Sequence, residues 1–268
     1  MHKYKIYNAT EVWQRETSLP SIPTFSQNLD NVVGNDGIQL GSITEILGLP
    51  GTGKTQICLQ LCASVQVPEE LGGLNAEALY IDTNTNFTWT RFNEILDASL
   101  KRCQGLLKSK QVIDEDQAIR RLYHVNAFGI EKFCAFLHNI PNFLISSPNV
   151  RLVVIDSITF PFKDDINIKL RTGLLYRLMA DLHRVAHEGQ IAVVLTNEMS
   201  TRVGLSSGAV VGALGDAWAH RCNKRLLLST PEPMKNLRHA VLMKSNNSPE
   251  RVGQFLITEE GIRDANKT

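Results

Sequence analysis

The sequence predicts an α/β fold, in which a mostly parallel, twisted sheet is flanked by helices and ends in an antiparallel C-terminal edge. From residue 43 to residue 197, short apolar runs rich in β-branched residues alternate with segments of helical periodicity. Such alternation is typical of parallel strands covered on both faces. After residue 223, three apolar runs follow one another at short spacing, which is typical of an antiparallel meander.

The composition fits a globular core of ordinary size. The chain has 268 residues, of which 43% are hydrophobic and 21% are charged. A formal net charge of +1 exerts no general attraction on nucleic acid, so any DNA contact must come from local patches. No apolar run approaches the ~20 residues that span a bilayer, so we expect no membrane partner. The five cysteines lack paired spacing, which predicts reduced thiols inside a cell.

We expect two regions of unequal size. Residues 1–20 are an N-terminal arm and linker, and residues 21–268 are the core. Within the first region, residues 6–9 are predicted as an extended arm and residues 10–15 as a brief helix. Another short helix is predicted over residues 26–33.

One loop joins the first predicted core strand to the first core helix. Residues 43–47 have the content of a buried strand, and apolar residues recur at helical spacing from residue 57. Between them stands G-x-x-x-x-G-K-T, whose glycines let backbone N–H groups curl around a phosphate at a helix N-terminus. This pattern predicts that the chain binds ATP or GTP. The loop residues assigned to the nucleotide are Gly48, Leu49, Pro50, Gly51, Thr52, Gly53, Lys54 and Thr55.

Three side chains are candidates for catalysis and metal binding. Lys54 should reach the β- and γ-phosphate oxygens, and the Thr55 hydroxyl should bind Mg²⁺. Residues 151–155 form a continuous apolar strand that delivers Asp156 beside the loop, where its carboxylate would hold Mg²⁺ through water. The alternative for Asp156 is a structural carboxylate at a strand end. No guanine-reading Asn-Lys-x-Asp run is present, which favours ATP over GTP.

The remaining core elements follow from periodicity and turn signals. Strands are predicted over residues 78–82, 122–125, 191–197, 224–229, 238–243 and 252–257. Helices are predicted over residues 90–107, 130–139 (ending at Pro141) and 167–188, with an exposed excursion at 108–121 and a glycine-rich loop at 200–215.

Several segments resemble the RecA-type strand-exchange recombinases of eukaryotes and their paralogues. They read GSITEI, GKTQ, YIDT, VIDS, LTN and AH, and they begin at residues 41, 53, 80, 154, 195 and 219. The likeness covers roughly residues 9 to 264. The segments VQVPE and FPF resemble the C paralogue group in particular. It implies a RecA-like ATPase core that uses ATP and Mg²⁺. It also implies a version without the helical N-terminal domain and basic C-terminal tail of longer members.

The resemblance assigns roles to residues outside the loop. Gln56 joins the nucleotide site, and Arg91 is implied to lie over the adenine. Lys163, Arg171 and Arg202 fall in the two segments that line single-stranded DNA, where they would contact phosphates. The alternative for each basic residue is a solvated surface charge.

The resemblance also implies a shared nucleotide, because ATP lies between adjacent subunits in this family. His220 and Lys244 would then meet the neighbour's nucleotide. Ile6 and Ala9 align with an aromatic-x-x-Ala hook that adds a strand to the neighbour's sheet, although isoleucine replaces the aromatic residue. The alternative for this arm is a frayed tail.

Three departures from the family pattern predict slow hydrolysis. Asn84 replaces a glutamate that orients the attacking water, and an amide cannot accept the proton, so a general-base contribution of about 10²–10⁴-fold is expected to be missing. Glu198 replaces a phosphate-sensing glutamine, and a carboxylate near the γ-phosphate is repelled unless a cation intervenes. Glu198 acting as a substitute base is the alternative. Lys244 replaces an acidic residue and could reach the next subunit's γ-phosphate.

Three functions remain open from the sequence. The first is an ATP-dependent recombination mediator in the nucleus that assembles with other paralogues and the recombinase itself on single-stranded or junction DNA, in break repair and in meiosis. The second is an autonomous strand-exchange enzyme that forms homopolymers, which Ile6, Asn84 and Glu198 disfavour. The third is a DNA-independent P-loop enzyme.

Overall fold

The computed structural model describes residues 6–34, 36–106, 115–163, 167–201, 210–232 and 235–265. Within them the helices are α1 (Ala9–Thr17), α2 (Gln27–Val33), α3 (Lys54–Ser64), α4 (Trp89–Leu106), α5 (Glu115–Arg120), α6 (Gly129–Ser146), α7 (Ile168–Gly189) and α8 (Asp216–Ala219). The strands are β1 (Ser21–Ile22), β2 (Ile38–Gln39), β3 (Ile43–Gly48), β4 (Glu77–Asp82), β5 (Leu122–Asn126), β6 (Val150–Asp156), β7 (Ala192–Thr201), β8 (Val210–Gly212), β9 (Lys224–Ser229), β10 (Leu237–Lys244), β11 (Arg251–Thr258) and β12 (Gly261–Asp264).

Most strands join one sheet, in the order β12-β11-β10-β9-β3-β7-β6-β4-β5. The pairs from β9 through β3, β7, β6 and β4 to β5 are parallel. The pairs from β9 to β12 are antiparallel. The predicted α/β fold class, with its antiparallel C-terminal edge, is therefore confirmed.

Helices cover both faces of the parallel strands, which explains why these strands are apolar without interruption. Successive residues of a strand point to opposite faces. Tyr80 and Val154 belong to the core that α3 and α4 cover, whereas Leu79 and Val153 belong to the core that α6 and α7 cover. All four side chains are fully buried, and burying an apolar side chain of this size contributes about 1.5–3 kcal/mol.

The parallel arrangement also decides where polar side chains gather. In an open α/β sheet, ligands bind at the carboxyl ends of the strands. Gly48, Asp82 and Asp156 end β3, β4 and β6, and Glu198 lies opposite Gly48 in β7. The sheet therefore brings the phosphate-binding loop and three carboxylates to one edge.

The C-terminal third contains more pairing than predicted. Beyond the three expected strands, β12 pairs with β11. The pairing runs from Thr258 opposite Gly261 to Phe255 opposite Asp264. Part of the predicted loop 200–215 is also a strand, because β7 continues to Thr201 and pairs with β8. Backbone pairing satisfies N–H and C=O groups where the side chains offer little packing. Residues 202–209 lie outside the described residues.

The predicted end of the helix before Pro141 is wrong, because α6 continues to Ser146. A proline inside a helix removes one hydrogen bond and crowds the preceding turn. Phe143 and Leu144 lie beyond the proline and pack against the core on that face. The Phe143 ring meets the Tyr123 ring edge to face, with the ring centroids 5.2 Å apart. We attribute the continuation of the helix to this packing.

The first helix starts earlier than predicted. Ala9 is the first residue of α1, so it is not part of the extended arm. The Asn8 side chain accepts from the Glu11 N–H at 2.9 Å, and the Glu11 carboxylate accepts from the Asn8 N–H at 2.9 Å. This capping box sets the helix start. The boundary proposed at residue 20 stays a prediction.

A short helix and a small strand pair lie outside the main sheet. Of the excursion predicted at 108–121, α5 occupies the final part, and residues 107–114 lie outside the described residues. β1 and β2 form a separate antiparallel pair. None of the helices in the described ranges has both the length and the apolar character needed to cross a bilayer.

Candidate functional site

The phosphate-binding loop has a geometry that requires its glycines. Gly51 and Gly53 have φ values of +80° and +99°, which other residues adopt only with strain. A Cβ on Gly48 would lie 2.4 Å from the Thr52 hydroxyl, and one on Gly53 would lie 2.4 Å from the Ile257 side chain. The motif is therefore a close-packed turn between β3 and α3, as its pattern predicts.

Lys54 lies across this turn. Its ammonium donates to the carbonyls of Gly48 at 2.8 Å and Leu49 at 3.1 Å. Burial lowers the pKa of Lys54, while the nearby charges of Glu198 and Asp156 act in the opposite direction. Lys54 is thus a partly desolvated cation, whose attraction for an anion is stronger than it would be in water.

Asp156 is a buried carboxylate at this edge that several hydroxyl groups hold in place. It is 2% exposed and accepts from three hydroxyl groups: Thr55 at 2.6 Å, Tyr80 at 2.7 Å and Thr196 at 2.5 Å. These donors come from α3, β4 and β7, so three elements orient one side chain. Thr55 was predicted as its neighbour, whereas Tyr80 and Thr196 were not.

The Thr55 and Asp156 oxygens fit Mg²⁺ as a ligand set. Mg²⁺ prefers oxygen and usually takes one or two protein groups together with waters and phosphate oxygens. Among the described residues, no group of three or more His, Cys, Asp or Glu side chains is arranged to hold a metal. A metal ion here would therefore depend on the phosphates of a nucleotide for part of its coordination.

Asn84 is presented by a turn that Asp82 organises. The Asp82 carboxylate accepts from the N–H groups of Asn84 at 3.0 Å, Asn86 at 3.2 Å and Phe87 at 3.1 Å. The intervening Thr83 hydroxyl donates to the Ser157 carbonyl at 2.7 Å. The turn is thereby tied to the end of β6, next to Asp156.

Arg91 connects α4 to the turn between β11 and β12. Its guanidinium donates to the carbonyls of Thr258 and Glu259, to the Gln56 side chain at 2.8 Å and to Glu94 at 2.8 Å. Because Ile257 covers Gly53 from the same hairpin, the C-terminal hairpin packs on the phosphate-binding loop. The sequence offered no sign of this hairpin contact.

The residues predicted to contact DNA differ in their surroundings. Lys163 pairs with Glu198, with its ammonium 2.6 Å from a carboxylate oxygen. Arg171 is half-buried on α7, and its Nε has no hydrogen-bond partner within the described part of the chain. Arg202 lies outside the described residues.

The residues predicted for a subunit interface do not gather at the nucleotide edge. Ile6 is 92% exposed and precedes α1. α1 borders a cavity of about 990 Å³ together with Ser42 and Lys224, which lie at the amino ends of β3 and β9, opposite the phosphate-binding loop. His220 is exposed. The Lys244 ammonium donates to the carbonyls of Ala219, His220 and Cys222 at 2.7–3.4 Å.

Glu45 is a buried carboxylate in the middle of β3 that the sequence reasoning missed. It accepts from Asn197 at 2.6 Å and from the Trp218 indole at 2.7 Å, and it pairs with Arg225. These partners lie on β7, α8 and β9, so Glu45 anchors the strand end that carries Glu198. A single acid in an otherwise apolar strand was the available signal, since a buried charge must be paired.

Comparison with known proteins gives consistent results. A family profile described as Rad51 matches residues 14–265. The chain is 34% identical over 271 residues to DNA repair protein RAD51 homolog 3 of Cricetulus griseus, covering 97% of this chain and 73% of the relative. It is 30% identical over 253 residues to the protein of that name from Dictyostelium discoideum, covering 91% and 65%. It is 34% identical over 252 residues to DNA repair and recombination protein RadA of Aeropyrum pernix, covering 92% and 74%.

Proposed function

The chain belongs to the Rad51 family, and we propose that it is an ATP-binding recombination mediator. It would assemble with related chains on single-stranded or junction DNA to support homologous recombination and double-strand break repair. The observation that carries this proposal is the 2.6 Å hydrogen bond from Thr55 to Asp156, which joins the residue after Lys54 to the carboxyl end of β6. The chain spans about two thirds to three quarters of the relatives described above, so the activity of a whole relative is itself part of the proposal.

ATP and Mg²⁺ are the proposed ligands. The loop from Gly48 to Gln56 would surround the phosphates, with Lys54 supplying the main positive charge. Thr55 and Asp156 would hold the metal, which when bound polarises the γ-phosphate. Arg91 would close the site at its base end, because it lies beside Gln56 and the C-terminal hairpin.

Hydrolysis is proposed to be slow. Asn84 occupies the turn beside Asp156, and its amide can hold a water but cannot accept a proton. Glu198 is paired with Lys163, so this carboxylate already contacts a cation in place of the attacking water. ATP would therefore act mainly in holding an assembly together.

The turnover proposal has a direct test with a matched control. Single-turnover ATP hydrolysis should rise at least about tenfold in Asn84→Glu, because the added carboxylate restores a general base. Thr90→Glu adds the same charge to the exposed first turn of α4, which follows this turn, and should leave the rate within about twofold. A wild type that already matches a fast recombinase measured alongside would contradict slow turnover.

Lys163, Arg171 and Arg202 are proposed to contact the phosphates of DNA. The proposed location is the nucleus, and meiosis is one proposed setting. Nucleic-acid binding through phosphates depends on salt. Binding of single-stranded and branched oligonucleotides should therefore weaken steeply between about 50 and 200 mM salt. Binding that is absent with and without ATP would contradict this part of the proposal.

Assembly with other paralogues and the recombinase itself is proposed through the nucleotide and the N-terminal arm. β5 is one of the two outer strands of the sheet, and an edge strand can accept an added strand from another chain. The arm with Ile6 would add to such an edge, and Ala9 would have to leave the first turn of α1 to join it. His220 and Lys244 would face a neighbour's nucleotide. To reach a phosphate, Lys244 would have to leave the three carbonyls that it now contacts.

Deleting residues 1–9 should weaken assembly in size-exclusion chromatography and leave the core folded, with a cooperative thermal unfolding transition. Unchanged assembly would remove the arm from the proposal. A long homopolymer formed by the chain alone would favour the autonomous strand-exchange enzyme instead.

A further inference from the structure

The ion pair between Lys163 and Glu198 lies beside the phosphate-binding loop. Lys163 follows the 3-10 turn Phe160–Phe162, and its ammonium is 2.6 Å from the Glu198 carboxylate. Glu198 stands opposite Gly48 in the parallel register of β3 and β7. The backbone of Glu198 is therefore beside the first residue of the loop.

The backbone on both sides of this pair is held in place. The Glu198 N–H donates to the Thr159 hydroxyl at 3.2 Å, and the Lys163 N–H donates to the Phe160 carbonyl at 3.1 Å. The Lys163 ammonium also lies over the Phe160 ring, 5.1 Å from its centroid. The short connection after β6 thus presents Lys163 to Glu198.

The charge of Glu198 reaches the nucleotide site. Among the charged groups that influence the pKa of Lys54, Glu198 has the largest effect, and it raises that pKa. Lys54 is the cation proposed to meet the phosphates. A carboxylate so close to Lys54 would repel a γ-phosphate, whereas a cation bonded to that carboxylate reduces the repulsion.

We propose that Lys163 determines the specificity of this site for a nucleoside triphosphate over a diphosphate, by neutralising Glu198. The inference rests on the proposed function, because it takes the phosphate-binding loop as the nucleotide site. An ammonium has three donors, so this role is compatible with a DNA contact by the same residue.

The affinity of two Mg²⁺-nucleotides tests this role. One unit charge about 7 Å away, at an effective dielectric constant of about 40, changes an affinity by about 7-fold. Lys163→Met should therefore weaken binding of a non-hydrolysable ATP analogue about 5- to 10-fold and change ADP binding less than about 2-fold. Adding Glu198→Gln to Lys163→Met should restore the analogue affinity to within about 2-fold of Glu198→Gln alone.

Lys101→Met is the matched control, because Lys101 forms an exposed ion pair of the same 2.6 Å length with Asp97 on α4. It should leave the ratio of the two affinities unchanged, and thermal unfolding shows whether each variant is folded. Equal weakening of both nucleotides in Lys163→Met, or no restoration by Glu198→Gln, would overturn the inference. A wild type that binds the analogue with no dependence on Lys163 would overturn the inference alone, whereas a wild type that binds neither nucleotide would overturn the proposed function with it.

Discussion

Replacing Gly261 with alanine tests whether the turn between β11 and β12 is held by close packing. Gly261 has φ +109°, a region that L-residues rarely adopt. A Cβ on Gly261 would lie 2.2 Å from the Gln60 side-chain oxygen, which accepts from the Ile262 N–H at 3.0 Å. Gln60 is fully buried and donates to Ser64 and Ser99, so it cannot move away cheaply.

The expected cost follows from these contacts. Backbone strain at such a φ costs about 1–3 kcal/mol, and loss of the hydrogen bond to Gln60 costs about 1 kcal/mol. Gly261→Ala should therefore lower the free energy of unfolding by about 2–4 kcal/mol. The displaced turn would also release Arg91 from the carbonyls of Thr258 and Glu259, so we expect up to about tenfold weaker ATP binding, equivalent to about 1.4 kcal/mol.

Urea unfolding and nucleotide titration measure the two effects. Gly72→Ala is the control, since Gly72 has φ +78° but a Cβ there would meet nothing within 4 Å. It should show the strain alone, about 1 kcal/mol. Equal destabilisation by both substitutions would refute the packing argument, and unchanged nucleotide affinity in Gly261→Ala would refute the link to Arg91.

Three further predictions concern buried polar groups. Burial raises the pKa of Asp30 to about 6. The contribution of this carboxyl to stability is therefore greatest below its unfolded pKa near 3.8 and is lost as the pH rises through 6. Asp30→Asn should raise the free energy of unfolding at pH 7 by up to about 3 kcal/mol and should flatten the pH dependence of that free energy between about pH 4 and 6. Burial lowers the pKa of Lys224 to about 8. The wild-type protein should therefore become more stable as the pH rises from 8 to about 10.5, and lose that stability as the pH falls again. The free energy of unfolding of Lys224→Met, measured in urea, should not rise over this pH range. Tyr80→Phe removes the 2.7 Å bond to Asp156 and should cost about 1–2 kcal/mol in urea unfolding, while a variant as stable as wild type would show that this bond contributes nothing net.

Much of the fold could be predicted because its strands carry a local signal. The runs around Ile46, Ile81 and Ile155 are apolar on both faces, and that pattern indicates parallel strands whatever their partners are. The predicted helix end at Pro141 was wrong, because the packing of Phe143 and Leu144 overrides the local preference of proline to end a helix. The helix start at Ala9 depended on a capping box that is visible in the sequence as Asn8 and Glu11.

Part of the candidate site could likewise be predicted from the sequence, and part could not. The loop around Lys54 is contiguous in the chain, so its pattern predicts its shape. The donors to Asp156 are not contiguous: Tyr80 and Thr196 are 76 and 40 residues away along the chain. An aromatic hydroxyl in a buried strand needs a partner, which signals that Tyr80 is bonded but does not identify the acceptor.

The sequence by itself determined most of the core strands and helices, where the phosphate-binding loop lies and which carboxylate ends β6. These features depend on neighbours within a few residues, where spacing and backbone preference act directly. Only the tertiary structure decided that Glu45 anchors three elements, that Lys163 pairs with Glu198 and that the C-terminal hairpin holds Arg91. The physical reason is that an ion pair or hydrogen bond depends on a separation of a few ångströms, which the folding of distant strands sets and which no local pattern records.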